Sequence, residues 1–198
     1  MTEHYYSKKP STASDRREIQ VNLRGTALRF VTDSGVFSKQ DLDFGSRLLI
    51  ETMDIAETDE VLDVGCGYGP IGLAAATLAT RGRVTMVDIN ERAVELSREN
   101  AKRNGITGVE IMQSDLFERL GDRTFTKILT NPPIRAGKQV VHQIFEQAWH
   151  HLVKGGQLWI VIQKKQGAPS ALAKLEALFE TVREADKDKG YRIYCATK

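Results

Sequence analysis

The chain has few of the features that mark membrane, secreted or metal-bound proteins. It holds only two cysteines, Cys66 and Cys195, with no CxxC pair and no cluster of histidine and cysteine. This cysteine usage favours a reducing compartment and argues against a structural metal. No apolar run approaches the roughly 20 residues that a membrane-spanning helix needs, and residues 1–14 lack the apolar core of a signal peptide. The sequence therefore predicts a cytoplasmic protein with no membrane segment and no metal.

Net charge is also small. The chain carries 28 basic and 26 acidic side chains, a net charge of +2, which is too low to indicate a nucleic-acid partner by itself. Basic residues nevertheless outnumber acidic ones in residues 1–30, where they are Lys8, Lys9, Arg16, Arg17, Arg24 and Arg29. We predict that residues 1–18 form a flexible basic arm. Such an arm is either a solvated tail or a segment that contacts phosphate.

The remaining residues, 19–198, have the length and the hydrophobic content of one globular domain. Residues 19–24 and 27–32 predict a small β-hairpin around Gly25. Residues 41–53 place their apolar side chains roughly on one helical face, which predicts a helix. No internal repeat or low-complexity tract interrupts the sequence.

From residue 60 onward, strand and helix patterns alternate. Short apolar runs fit strands that are buried on both faces, and they lie at 61–64, 84–87, 109–112, 127–130 and 158–162. Helices fit between them at 71–80, after a capping Asn90 and up to Asn104-Gly105, at 138–153 and at 170–179. Residues 181–185 and 191–196 predict a closing antiparallel hairpin, with its turn at 186–190. The pattern predicts an α/β fold whose mostly parallel sheet has helices on both faces and ends in one reversed strand.

Three glycines, Gly65, Gly67 and Gly69, follow the first of these strands. Glycine is needed where the backbone turns sharply or lies against a ligand without a β-carbon in the way. A dinucleotide-binding fingerprint has glycine or alanine at the next position, but this chain has Pro70. The turn therefore disfavours a nicotinamide oxidoreductase. It is either a nucleoside-cofactor site or a tight turn without a ligand.

Acidic residues follow the next strands, where open α/β sheets bind ligands. Asp88 ends the second strand pattern, and its carboxylate can accept two hydrogen bonds from a ribose diol. Ile89 beside it could pack on an adenine ring. Asp115 follows the third strand pattern and could accept from the adenine amino group. The alternatives are a capping role for Asp88 and a turn role for Asp115.

The segment Asn131-Pro132-Pro133-Ile134 follows the fourth strand and is a stiff polar corner. The prolines fix their own backbone and contribute no amide donors, so the corner offers acceptors: the Asn131 side-chain oxygen and nearby carbonyls such as that of Pro132. A planar NH2 group carries two donors and fits such a corner. An exocyclic amine on a base is a poor nucleophile, and two acceptors could orient its nitrogen. The alternative is an ordinary turn.

From about residue 34 to residue 198 the chain resembles class I S-adenosylmethionine-dependent methyltransferases of the methyltransferase small-domain group. It is most similar to ribosomal RNA methyltransferases that modify the exocyclic amine (N2) of guanine. The matching segments are Gly35-Val36-Phe37-Ser38, Asp43-Phe44-Gly45-Ser46-Arg47-Leu48-Leu49, residues 61–70, Asp88 and Asn131-Pro132-Pro133-Ile134-Arg135-Ala136-Gly137-Lys138.

The resemblance implies a Rossmann-like sheet of seven strands with the last strand antiparallel, and S-adenosylmethionine as the cofactor. It implies that Phe37 and Ser38 line the pocket for cofactor and target base, and that Asp63 faces the cofactor's ammonium, directly or through water. Asn131 then lies at both the cofactor and the reacting amine. The substrate side comprises Ser38, Pro133, Ile134, Arg135 and Lys138.

Two features separate this chain from many relatives of that kind. Ile134 stands where many amine methyltransferases carry an aromatic residue that stacks on the target. Larger rRNA enzymes carry an extra N-terminal domain, so we expect RNA to be held here by the arm, by Arg135 and Lys138, or by a partner. The predicted partner is ribosomal RNA or a ribosomal subunit. Methylation of a protein glutamine amide and a non-catalytic RNA-binding module remain alternatives, and the oligomeric state stays open.

Overall fold

A computed structural model describes residues 8, 9, 12–38 and 40–198. Within these residues the chain forms nine strands, five α-helices and two short 3-10 turns. In chain order the strands and helices are β1 (Arg17–Leu23), β2 (Thr26–Thr32), α1 (Phe44–Thr52), β3 (Glu60–Val64), α2 (Pro70–Leu78), β4 (Arg83–Asp88), α3 (Glu91–Arg103), β5 (Val109–Gln113), β6 (Phe125–Thr130), α4 (Lys138–His151), β7 (Leu152–Gln163), α5 (Ala168–Leu178), β8 (Thr181–Asp188) and β9 (Tyr191–Thr197). The 3-10 turns are Ile134–Ala136 and Lys164–Gln166.

The main sheet has seven strands in the order β5-β4-β3-β6-β7-β9-β8. Strands β3 to β7 pair in parallel, whereas β9 pairs antiparallel with both β7 and β8. The predicted Rossmann-like sheet with a reversed last strand is therefore confirmed. From β3 the chain proceeds outward through β4 and β5, then returns to place β6 on the other side of β3. Open α/β sheets bind ligands beyond the carboxyl ends of their strands at such a reversal.

Helices cover both faces of the sheet, and strand β3 explains why. Its side chains alternate between the two faces: Val61 packs in the cluster formed with α1, α2 and α3, while Leu62 and Val64 pack in the cluster formed with α4 and α5. The strand is buried on both faces, which accounts for its continuous apolar pattern. Asp63 is the exception, because it is a carboxylate at a core position with 0% of its surface exposed.

The predicted N-terminal hairpin is present, and its outer edge is covered by α3. Asn100 accepts a hydrogen bond from Val31 N (2.7 Å) and donates to Val31 O (3.0 Å). Asn104 makes the same pair of bonds with Arg29, at 2.9 Å and 2.7 Å. A helix advances about 6 Å in four residues and a strand advances about as far in two, so the two asparagines match alternate residues of the strand. This pairing protects an edge that would otherwise be open.

The described part of the predicted basic arm lies against the domain. Strand β1 begins at Arg17, and Asp33 accepts hydrogen bonds from Ser14 Oγ and from the backbone N–H of Asp15. Arg16 forms an ion pair with Glu99 of α3. The charge of Arg16 is thus already partnered within the fold. Residues 1–7, 10 and 11 of the predicted arm lie outside the described residues.

Several predicted boundaries are wrong for local reasons, and the strand predicted at 158–162 begins already at Leu152. The helix predicted to reach residue 153 ends at His151, because Leu152 already pairs with Phe125 as the start of β7. The final turn is not residues 186–190 but only Lys189-Gly190, both with positive φ (44° and 82°), as a two-residue hairpin turn requires. Strand β8 therefore continues to Asp188. Strand β8 lies at the edge of the sheet. Residues 186–188 are charged and exposed, as is common on an edge strand, so no apolar alternation marked them as part of a strand.

Replacing Asn100 by alanine should destabilise the protein through loss of the hairpin contact. The substitution removes the buried partners of the Val31 backbone and of Tyr68 O, which accepts from Asn100 Nδ2 at 2.8 Å. We expect a loss of about 3 kcal/mol in the free energy of unfolding, measured by urea denaturation. The control is Asn104→Ala, whose similar bonds to Arg29 are exposed and should contribute less than about 1 kcal/mol. Equal effects of the two substitutions would contradict this account of the hairpin.

Candidate functional site

A cavity of about 830 Å³ lies at the carboxyl ends of the parallel strands, where the strand order reverses. Segments after five different strands, β3 to β7, converge on it, and the loop before α1 closes one side. The predicted site residues that line it are Phe37, Ser38, Gly65, Gly67, Asp88, Ile89, Asp115, Asn131, Pro132, Pro133, Ile134 and Arg135. The size suits a nucleoside-bearing ligand together with a base.

Three predicted site residues do not line the cavity: Asp63, Gly69 and Lys138. Asp63 lies beneath the glycine turn, Gly69 is the N-cap of α2, and Lys138 begins α4 just beyond the rim. Other lining residues had no role assigned from the sequence, among them Asp43, Ser46, Tyr68, Ser114, Leu116, Gln163, Gln166 and Tyr191. The only sequence signal for Asp43 and Ser46 was their place in the resembling segment at 43–49.

The glycine turn has the geometry of a ligand cradle. Gly65 and Gly67 have positive φ (72° and 59°), and a β-carbon at either would meet no protein atom within 4 Å. The turn is held from behind, because Gly65 N and Cys66 N donate to Val87 O, and Ser97 Oγ donates to Gly67 O at 2.8 Å. A rigid backbone with open space in front suits close approach of a ligand.

Asp88 anchors this turn and faces the cavity. Its Oδ2 accepts from Gly67 N and its Oδ1 from Asn90 N, each at 2.8 Å. An ionised carboxylate offers about four acceptor sites, so each oxygen can accept a further bond from a diol. Burial raises the pKa of Asp88 to about 6, against the lowering effect of its backbone hydrogen bonds. The capping role and the ligand role are therefore compatible in one side chain.

Asp63 is a buried carboxylate with one unmatched oxygen. Its Oδ2 accepts from Gly72 N at 2.8 Å, which fixes the start of α2, but its Oδ1 has no hydrogen-bond partner among the described residues. Burial, with a smaller contribution from the nearby charge of Asp88, raises the pKa of Asp63 to about 7, against the lowering effect of its hydrogen bond from Gly72. A buried acceptor without a partner is costly. A proton, a water molecule or a ligand cation reaching behind the turn would remove that cost.

The Asn131 corner is tied to the N-terminus of α1. Asn131 Nδ2 donates to Asp43 Oδ2 at 3.1 Å and to Ser46 Oγ at 3.0 Å. An ionised carboxylate can only accept, so the nitrogen of the amide must point toward Asp43. The Asn131 oxygen is consequently the atom left for the cavity. Pro133 O accepts from Ala136 N at 2.9 Å within the 3-10 turn, whereas no hydrogen bond to Pro132 O occurs in the described part of the chain.

The loop before α1 supplies an exposed aromatic ring and a strained residue. Phe37 is 37% exposed and is the only exposed large hydrophobic side chain among the described residues. Ser38 has a positive φ (57°), as has Leu116 (49°), which also lines the cavity. Non-glycine residues in this conformation cost free energy and concentrate at functional sites. Ile134, in contrast, is partly buried against the α4 side of the core.

Basic side chains flank the mouth of the cavity on two sides. Arg135 and Lys138 are exposed on one side. On the other side the 3-10 turn places exposed Lys164 and Lys165 between two lining residues, Gln163 and Gln166. Lys164 N donates to Gly190 O at 2.8 Å, which brings this turn against the hairpin that carries Lys189. Lysines 164, 165 and 189 are far apart in sequence from the Asn131 corner, so no local pattern marked them.

Two classes of feature are missing from residues 8, 9, 12–38 and 40–198. No helix there has the length and apolar content to span a membrane. No group of three or more histidine, cysteine, aspartate or glutamate side chains is arranged to hold a metal ion. Cys66 and Cys195 are both free and buried, and burial raises the pKa of each thiol.

The sequence profile of the methyltransferase small domain matches residues 27–195. Uncharacterized protein YbxB of Bacillus subtilis (strain 168) is 58% identical over 200 residues, covering 100% of both chains. Ribosomal RNA small subunit methyltransferase C of Salmonella typhi is 33% identical over 190 residues, which are 94% of this chain and 54% of that protein. The chain thus spans about half the length of the curated rRNA methyltransferases that it matches.

Solved structures agree with this assignment. The T. thermophilus 16S rRNA guanine-N2 methyltransferase RsmC, in complex with AdoMet and guanosine, superposes with a TM-score of 0.82 at 26% identity. The match covers 96% of this chain and 52% of that one. The ribosomal protein L11 methylase from Lactobacillus delbrueckii subsp. bulgaricus has a TM-score of 0.63 at 22% identity, covering 78% of this chain and 77% of the other, and shares the fold. On its sequence, its sheet and its cavity, the chain belongs to the methyltransferase small-domain family.

Proposed function

We propose that this protein transfers a methyl group from S-adenosylmethionine to the exocyclic N2 amine of a guanine in ribosomal RNA. The observation that carries the proposal is the orientation of Asn131, whose amide nitrogen is held by Asp43 and Ser46 so that its oxygen is left for the cavity. An rRNA methyltransferase at 33% identity and a structural neighbour solved with AdoMet and guanosine support it. The proposal places the protein in the cytoplasm, with its RNA.

The residues present fit S-adenosylmethionine. Open space lies in front of Gly65 and Gly67, and Asp88 faces the cavity with acceptor sites for a ribose diol. Ile89 and Asp115 line the same wall and would hold the adenine by packing and by an acceptor oxygen. When bound, the cofactor supplies a methyl group on a sulfonium, which is electrophilic and has a good leaving group. Asp63, beneath the turn, has an unmatched oxygen that could attract the cofactor's ammonium through water.

The protein's task is then to present the amine. The amine lone pair is delocalised into the base, so the nitrogen reacts poorly unless it is oriented. Asn131 Oδ1 and the Pro132 carbonyl would accept its two hydrogens and aim the lone pair at the methyl carbon. Alignment and fixed dipoles of this kind account for much of many enzymes' rate enhancement. The new N–C bond forms as the C–S bond breaks, and the methylated nitrogen then loses one proton to solvent.

The target base needs a flat surface on which to bind. Ile134 can pack on a base but offers no aromatic face, and the exposed ring of Phe37 lines the same cavity. Base stacking on an aromatic side chain contributes about 1 to 3 kcal/mol. Phe37 therefore takes the role that an aromatic after Asn-Pro-Pro plays elsewhere. The base must be unpaired or flipped out of a helix to reach this position.

RNA phosphates would contact the basic residues around the mouth. Arg135, Lys138, Lys164, Lys165 and Lys189 are all exposed there, and surface lysines and arginines bind phosphate by releasing counterions. The N-terminal arm contributes less than its composition indicates, because Arg16 pairs with Glu99 and Arg17 lies 3.9 Å from Asp15. A ribosomal subunit as substrate would present the same phosphates.

Replacing Asn131 by alanine should abolish the orientation of the amine while sparing the cofactor site. We expect the single-turnover rate of methyl transfer from labelled cofactor into RNA to fall by roughly 100-fold or more. Cofactor affinity should change little, because Asp88 and the glycine turn are untouched. Asn104→Ala removes an asparagine outside the cavity and should transfer at the native rate. Native transfer by Asn131→Ala would mean that the corner is only a turn.

Cofactor affinity should fall in acid because of Asp88. Its pKa of about 6 means that the carboxylate is mostly ionised at pH 7.5 and mostly protonated at pH 5. A protonated carboxyl loses acceptor sites for the diol and for Gly67 N. We expect the dissociation constant, measured by calorimetry, to rise roughly tenfold between these pH values. In Asp88→Asn, whose amide does not titrate, affinity should be weaker and should fall less in acid, the remaining fall coming from Asp63 with its pKa of about 7. A pH dependence unchanged by this substitution would exclude Asp88 as its origin.

Replacing Lys164 and Lys165 together by alanine should lower the affinity for RNA and make that affinity less dependent on salt. Two fewer phosphate contacts should make the slope of log affinity against log salt shallower by about 1.4 for single-stranded RNA. Cofactor affinity should not change. The matched control is Lys102→Ala with Lys154→Ala, two exposed lysines in the last turn of α3 and at the start of β7, away from the carboxyl ends of the strands. If both double variants behave alike, the turn at residues 164–166 does not contact RNA.

A further inference from the structure

The amide of Asn131 is held by a network that the sequence pattern did not predict. Its two amide hydrogens have two acceptors, Asp43 Oδ2 at 3.1 Å and Ser46 Oγ at 3.0 Å. Asp43 is half-buried and lines the cavity, and Ser46 is only 4% exposed. Both residues lie at the start of α1, more than 80 residues before Asn131 in the sequence.

Asp43 has a second and more ordinary role as the N-cap of α1. The same Oδ2 atom accepts from the backbone N–H of Ser46 at 2.8 Å, and Asp43 O accepts from Arg47 N at 3.0 Å. Capping fixes the carboxylate relative to the helix, and the helix packs on α2 and on the sheet. The Asp43 carboxylate that faces Asn131 is therefore held in place by its capping hydrogen bond and by the packing of α1.

The network determines which end of the Asn131 amide faces the cavity. If the amide rotated by half a turn, its oxygen would face the Asp43 carboxylate, and neither atom would have a proton to share. Two acceptors in contact repel each other, and the Asp43 carboxylate loses the hydrogen bond that it accepts from Asn131. The rotated state would also turn the NH2 group toward the target amine, where a donor would meet donors. Only the observed orientation offers the substrate an acceptor.

We propose that Asp43 is a positioning residue for methyl transfer, which acts by locking the Asn131 oxygen toward the reacting amine, with Ser46 as its secondary partner. The inference rests on the proposed function, because it assigns Asn131 the role of holding an amine. Asp43 itself does not touch the amine in this account. Its effect on the reaction passes entirely through the orientation of one amide.

Asp43→Asn separates this role from capping. Asparagine is about as good an N-cap as aspartate, so a role in capping alone predicts native activity. The positioning role predicts a different result, since an amide at position 43 can donate and so tolerates either orientation of Asn131. We expect a 10- to 100-fold lower single-turnover rate at saturating RNA and cofactor. The affinities for RNA and cofactor, and the thermal midpoint, should stay near native. A native transfer rate in Asp43→Asn would overturn the proposal.

The reciprocal double variant, Asp43→Asn with Asn131→Asp, provides a rescue. The new amide at position 43 can donate to the new carboxylate at position 131, whose other oxygen still offers an acceptor to the amine. Asn131→Asp alone instead sets two carboxylates against each other. We expect the double variant to transfer faster than either single variant. A double variant no faster than the slower single variant would contradict a direct link between these side chains.

Nuclear magnetic resonance tests the network without any substrate. The side-chain amide signals of Asn131, assigned by their loss in Asn131→Ala, should exchange slowly with solvent in the native protein and faster in Asp43→Asn. Equal exchange rates of the Asn131 amide in the native protein and in Asp43→Asn would overturn the proposal. If the native protein fails to methylate RNA while Asp43→Asn still loosens the amide, the proposed function fails and the positioning network stands. Ser46→Ala should have a smaller effect on exchange, because the carboxylate remains.

Discussion

Parallel pairing of β3 with β6 is the constraint on which the whole site depends. The two strands are about 65 residues apart in the chain, yet Leu62 pairs with Ile128 and Asp63 with Leu129. Beyond the last pair, Thr130 Oγ1 donates to Val64 O at 2.9 Å. This register brings the glycine turn and the Asn131 corner to adjacent positions at one edge of the sheet. A register shift of one residue would turn side chains to the opposite face and separate the two halves of the site.

The site is built at a cost to stability that the surrounding core must offset. Asp63 is fully buried with an unmatched oxygen, and Asp88 has a pKa raised by burial. Ser38 and Leu116 adopt strained backbone conformations in the cavity wall. Each feature is unfavourable in isolation. A ligand in the cavity with hydrogen-bond donors and a positive charge would satisfy the oxygens of Asp88 directly and would reach Asp63 through water.

The fold and half of the site could be predicted from sequence because their signals are local. Buried parallel strands are apolar runs, and Asn90 and Gly105 delimit α3 by their own capping chemistry. The glycine turn and the Asn131 corner likewise follow directly after strands. The full length of strand β8 could not be predicted: the strand expected at 181–185 continues to Asp188, because residues 186–188 are charged and carry no apolar period. Nor could the roles proposed for Asp43 and Lys164, which rest on contacts between segments that are distant in the sequence.

Mapping methylated nucleotides in ribosomal RNA tests the central claim most directly. RNA from cells with and without this protein would be digested and compared by mass spectrometry, with the native gene and Asn131→Ala each restored in the deficient cells. The account predicts one N2-methylguanosine that is lost without the protein, returns with the native gene and does not return with Asn131→Ala. Unchanged guanine methylation across all four samples would contradict it.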